Sequence, residues 1–81
     1  MTTVTDKGWT LRYATGPLAG LPVQVGAGVD DFRGDPHVVR GGVSPHKGGS
    51  TGRVSLSGPE DSLWHLYYPS VVDLVWVEDA A

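Results

Sequence analysis

Eighty-one residues, no cysteine and a net charge of −3 describe one thin-cored domain that neither disulfides nor thiolate-bound zinc can staple. A chain of this length buries only about 60–65% of the surface it exposes when unfolded, so three Trp, three Tyr and one Phe are the large groups available for packing. The first residues form no apolar signal region and no apolar run approaches membrane length, so the sequence reads as a cytoplasmic protein with no membrane contact.

Charge is unevenly spread. Residues 1–32 sum to −1, residues 33–53 to +3 and residues 54–81 to −5. A basic middle beside an acidic end suggests a charged binding face. The plainer reading is that the two segments neutralise each other within the fold.

Twelve Gly and six Pro interrupt the chain every few positions and exclude long helices. Residues 1–7 are expected as a flexible N-terminus. Trp9–Tyr13 alternates apolar and polar residues and predicts a strand with Trp9, Leu11 and Tyr13 on one face. Val23–Val25 is a second candidate, after turns at Gly16-Pro17 and Gly20-Leu21-Pro22, and Gly26 to Gly28 then loosens the chain. Pro36–Arg40 is a third candidate. Residues 41–52 have almost nothing to bury and read as a Gly-rich basic loop. Arg53–Ser57 alternates with Val54 and Leu56 inward, and Gly58 to Asp61 is a tight turn. Leu63–Tyr68 follows as a strand that Pro69 ends, because proline lacks the donor N–H. One 3₁₀ turn over 69–72 then leads to the last strand, 74–77, and residues 79–81 are expected to fray. Five or six short strands with a 3₁₀ turn before the last predict an all-β fold, a small SH3-like barrel spanning 1–81 as a single domain. An OB-like barrel is the runner-up, and it normally contains a helix that this chain lacks. Trp9, Val54, Leu56, Leu74 and Trp76 are the expected core.

Three pieces taken together carry a resemblance: Asp31-Phe32-Arg33-Gly34-Asp35, then Ser50-Thr51-Gly52-Arg53-Val54, then Tyr68-Pro69-Ser70-Val71 with Leu74 and Trp76. In this order they resemble small hypothetical proteins of actinobacteriophages and their hosts, over residues 29–77. The resemblance implies a phage or prophage setting and brings no activity or catalytic residues with it.

The chemistry-bearing residues form no enzymatic pattern. A Walker A loop needs its Lys after the second Gly and a helix beyond it, whereas Lys47 precedes Gly48 and no helix follows. His37, His46 and His65 match no metal-site spacing, and His65 is expected to face outward. No nucleophile elbow is present. The adjacent pairs Asp30-Asp31 and Glu60-Asp61 would point to opposite faces of a strand, and Arg33-Gly34-Asp35 reads as a turn rather than an adhesion signal. The expectation is therefore a non-enzymatic protein without cofactor or metal. Arg33, Arg40, His46, Lys47 and Arg53, with Tyr67 as a stacking group, are the candidate binding residues. A protein partner, host or phage, is the first reading, since Trp, Tyr and Arg dominate interface hot spots and thin barrels leave strand edges open. Self-association through an edge belongs to the same reading. The alternative is single-stranded nucleic acid bound by the basic segment 33–53, which four cations would hold only weakly at physiological salt. On the strand 63–68, Trp64 and Tyr68 share one face and His65 and Tyr67 the other, so one of these sets should be exposed.

Overall fold

The computed structural model describes residues 2–60 and 62–79. Met1, Asp61, Ala80 and Ala81 lie outside the described residues, and with them one half of the Glu60-Asp61 pair and the end of the segment expected to fray. The order is β1 (Thr5–Asp6), β2 (Trp9–Tyr13), β3 (Gly28–Asp30), β4 (Pro36–Val43), β5 (Arg53–Ser57), β6 (Trp64–Tyr67), a 3₁₀ turn (Pro69–Val72) and β7 (Leu74–Glu78). All strand pairs are antiparallel, in a three-stranded sheet β1-β2-β7 and a four-stranded sheet β3-β4-β5-β6.

The expected barrel does not close. Its sheets are joined by the segment 21–27, which makes single hydrogen bonds instead of a ladder. Val23 exchanges bonds with Leu11 and Val4 on one side, while Gly26 and Ala27 bond Val39 on the other. This segment contains Pro22, which has no N–H to donate, and Gly26, which sits at φ +93°; neither sustains a regular strand. The expected strand 23–25 is accordingly reduced to isolated bridges at Pro22 and Gln24.

Two short strands were not legible in the sequence. Residues 2–7, expected to be flexible, bury Val4 and form β1, which turns into β2 through Lys7 (φ 49°) and Gly8 (φ 88°). Two consecutive positive φ angles make a type I′ hairpin turn, the kind whose twist matches the strands it joins. Asp79, at the segment expected to fray, donates its N–H to the Gly8 carbonyl and accepts a 2.8 Å bond from the Thr10 hydroxyl. The other strand is β3, where Gly28 pairs with Val38.

The core lies between the sheets and consists of Leu11, Val39, Val54, Leu56, Leu74 and Trp76, with Val4, Val23 and Val72. Four of the five expected core residues are in it. Trp9 is half-buried, because it pairs with Glu78 at the end of the β2–β7 ladder and only flanks the cluster.

The seat of Trp76 explains two glycines that composition alone assigned to a loop. Gly41 and Gly42 continue β4, opposite Ser55 and Val54. A Cβ on Gly42 would lie 2.7 Å from the Trp76 ring and from the Arg53 carbonyl. A Cβ on Gly52 would lie 2.6 Å from the ring and from the Val43 carbonyl, and Gly52 also holds φ +74°. The indole therefore rests on two bare backbones, and its Nε1 donates to the Arg53 carbonyl at 3.1 Å.

Candidate binding face

The loop between β4 and β5 is fixed at both ends and open at its tip. At its start Ser44 is buried, and both its N–H and its hydroxyl donate to one carboxylate oxygen of Asp6, each at 2.8 Å. At its end Gly52 lies under Trp76. Between them, Ser50 N–H donates to the Lys47 carbonyl, and Gly49 holds φ +82° at the third position of that turn, as a type II turn requires. The tip glycines have open space around them.

Two adjoining hollows border this loop. The larger, about 500 Å³, lies between the tip and Tyr68–Ser70; the smaller, about 260 Å³, reaches His46 and Ser44. Lys47, Ser50 and Arg53 line both. The guanidinium of Arg53 lies 4.0 Å from the centre of the Tyr68 ring and donates to the Gly52 carbonyl at 2.8 Å.

Of the six candidate residues, the fold gathers His46, Lys47 and Arg53. Arg40 occupies the bulge in β4 between Val39 and Gly41, and its Nε donates to the Ser57 hydroxyl at 2.9 Å. Arg33 is in the β3–β4 hairpin turn, at the opposite end of β4 from Val43, which pairs with Arg53. Eight strand residues separate these ends, about 25 Å. Tyr67 pairs with Val54 and so faces the core, half-buried against it with its ring 5.4 Å from that of His37. Tyr68, one residue on, is the ring at the basic hollow. That distinction required the phase of the β5–β6 register, which alternation within one strand does not supply.

Among the described residues, no cation forms an ion pair with the acidic C-terminal segment. Among the described residues the one ion pair is His37–Asp31. Asp73, in left-handed conformation after the 3₁₀ turn, accepts from the Thr15 hydroxyl instead.

Asp31 organises the tip that carries Arg33. One of its oxygens accepts from the N–H groups of Arg33 and Asp35, and the other accepts from His37 Nε2 at 3.0 Å. The tripeptide Arg33-Gly34-Asp35 is thus part of a turn, with Phe32 78% exposed beside Arg33. The His37 bond, followed by the two backbone N–H groups, holds the Asp31 carboxyl below the usual aspartate range. Bonds from Ser44 do the same for Asp6, with the charges of Lys7 and His46 assisting. In both cases burial pulls the other way and loses. A carboxylate with a depressed folded pKa adds stability that is complete above the ordinary aspartate range and is lost as pH falls through the folded value. Asp6→Asn should therefore flatten the acid limb of a urea-midpoint profile taken from about pH 6 to about pH 2. An unchanged limb would show that the Ser44–Asp6 bonds contribute nothing.

The outward face of β6 completes the surface. Trp64 is 61% exposed, Leu66 59% and Tyr68 55%, and the neighbouring Leu63 is also exposed. The aromatic set is the exposed one, and β6 is the last strand of its sheet, so its outer backbone edge carries no partner strand among the described residues. His65 is exposed too, although it pairs with Leu56 and so shares the core-side phase of Tyr67 instead of the outward one expected. No group of three or more His, Cys, Asp or Glu side chains among the described residues is placed to hold a metal ion, and none of their helices is long and apolar enough to cross a membrane.

Fold and face together define a two-sheet, all-β protein with an aromatic edge strand ending at a basic hollow. No protein family, no curated protein and no solved structure matches the chain.

Proposed function

We propose that this protein is a non-enzymatic binding module that engages a protein partner through the β6 face. The observation that carries this reading is the stripe Trp64, Leu66 and Tyr68 along β6, whose outer edge has no partner strand among the described residues. Large apolar groups on a solvent-facing edge are a liability that proteins ordinarily cover or charge. An added strand would pair with that edge and set its own side chains beside these, the mode by which extended peptides join exposed sheets.

In this reading the fold is an opened variant of the SH3-like plan. Its support is the long connection after β2, the β4–β5–β6 meander, and the 3₁₀ turn leading into a last strand paired with β2. The resemblance of residues 29–77 to phage and host proteins of actinobacteria supports a phage or prophage setting, with the partner a phage or host protein in the bacterial cytoplasm.

Trp64→Ser should leave stability within about 1 kcal/mol of the parent, since the side chain is mostly in solvent. The same change should abolish capture of the protein partner from nuclease-treated host lysate by the immobilised chain. Recovery of nucleic acid alone from lysate not treated with nuclease, lost on raising salt, would overturn the reading in favour of the basic segment. Capture of nothing but further copies of the chain would reassign the edge to self-association.

A further inference from the structure

The hollow at the end of the stripe has a chemistry of its own. Lys47 and Arg53 line it with the hydroxyl-bearing side chains of Ser50, Thr51 and Ser70, and among the described residues no carboxylate does. That is unusual placement in a chain with a net charge of −3. The carboxylate adjoining the loop is Asp6, on the far side of Ser44, and it is already occupied by two hydrogen bonds.

The hollow is also prepared in advance. The Tyr68 ring beneath it and the bond to the Gly52 carbonyl hold the guanidinium in place, while its further N–H donors are unused among the described residues. The tip glycines set no side chain between their backbone and an incoming group. Donors held in place before a ligand arrives cost little to organise when it binds. Charged N–H donors around a concave surface suit an anion with several acceptor oxygens.

We infer that this hollow is an oxyanion site, and that it receives a carboxylate or phosphate group borne by the protein partner. The inference rests on the proposed binding function for the identity of the partner, and on the hollow alone for the chemistry. An extended segment laid along β6 would pass from Trp64 to Tyr68 in either direction and bring the residues at its Tyr68 end to Lys47 and Arg53. The partner is accordingly a strand-forming segment with apolar residues flanked by an acidic or phosphorylated one.

The test uses the full chain labelled for NMR and three small probes: inorganic phosphate, N-acetyl-phosphoserine methylamide and N-acetyl-glutamate methylamide. Saturable shifts confined to residues 47–53 and 68–70 are expected with at least one probe, and the tighter of the two amino-acid probes identifies the source of the oxyanion. Lys47→Gln should weaken that binding about tenfold, the loss of one charge-assisted contact. Arg53→Lys should weaken it too, because the ammonium keeps the charge without the planar fork. Trp64→Ser should leave it unchanged while abolishing partner capture, so failure of the oxyanion site and failure of the protein-binding reading give different results. Shifts that never saturate, that spread equally to Arg12 and Arg33, or that survive Lys47→Gln would overturn the inference.

Discussion

Trp76→Ala is expected to lower stability by about 3–5 kcal/mol, the cost of a large-to-small change in a core, measured by urea denaturation followed by circular dichroism. Domains of this size have total stabilities of about 4–12 kcal/mol, so the variant should lose a quarter or more of its stability. The expectation rests on position more than on size. Trp76 is 5% exposed, joins the β7 side of the core to β5, and bonds the backbone of the strand opposite. Trp76→Phe keeps a ring and loses the Nε1 bond, leaving the Arg53 carbonyl without that donor, and should cost less, about 1–3 kcal/mol. A Trp76→Ala variant that loses under about 1 kcal/mol would mean that the seat collapses around the gap, against the usual behaviour of packed interiors.

Gly52→Ala should cost about 2–5 kcal/mol. Two penalties meet there: about 1–2 kcal/mol for an L-residue in left-handed backbone and about 1–3 kcal/mol for overpacking. The new methyl would sit 2.6 Å from both the Trp76 ring and the Val43 carbonyl, and neither can swing aside as a flexible side-chain end would. Gly48→Ala, in the same loop, has open space and no positive φ, and should change stability by less than about 0.5 kcal/mol. The contrast separates the closed end of the loop from its tip. A double-mutant cycle sharpens the test: Gly52→Ala made in the Trp76→Leu background should lose less than in the parent, because the ring it collides with is gone. Equal losses in both backgrounds would place the whole cost in the backbone.

These two residues also mark where sequence legibility ends. Alternation revealed β2 and β5, where apolar residues two apart line one face, a short apolar run revealed β7, and Pro69 marked the end of β6 by its missing donor. The strand Gly41 to Val43 was illegible because its contribution to packing is the absence of a side chain. A glycine that makes room for Trp76 has the same letter as one that lets a loop turn. β1 and β3 are too short for a period to show, and β1 depends on Asp6 reaching Ser44, 38 residues away. The barrel was expected from turn spacing, which counts strands without saying whether a connecting segment such as 21–27 completes a ladder.

The candidate site was legible in composition and illegible in geometry. Residue types in 33–53 identified the basic segment, and Lys47, His46 and Arg53 do meet. Arg33 left the group because β4 carries it to the other end of the sheet. Tyr67 gave way to Tyr68 because cross-strand pairing with Val54 fixes which of two adjacent rings faces the core.

The three indoles occupy three environments: Trp76 in the core, Trp9 at its margin and Trp64 in solvent. The protein thus carries built-in spectroscopic reporters that need no label. The blue edge of its emission belongs to Trp76 and should vanish on unfolding, whereas iodide should quench Trp64 first. With Trp64 covered by a bound segment, iodide should lose that access while the blue edge stays in place, so folding and occupancy can be read from one spectrum.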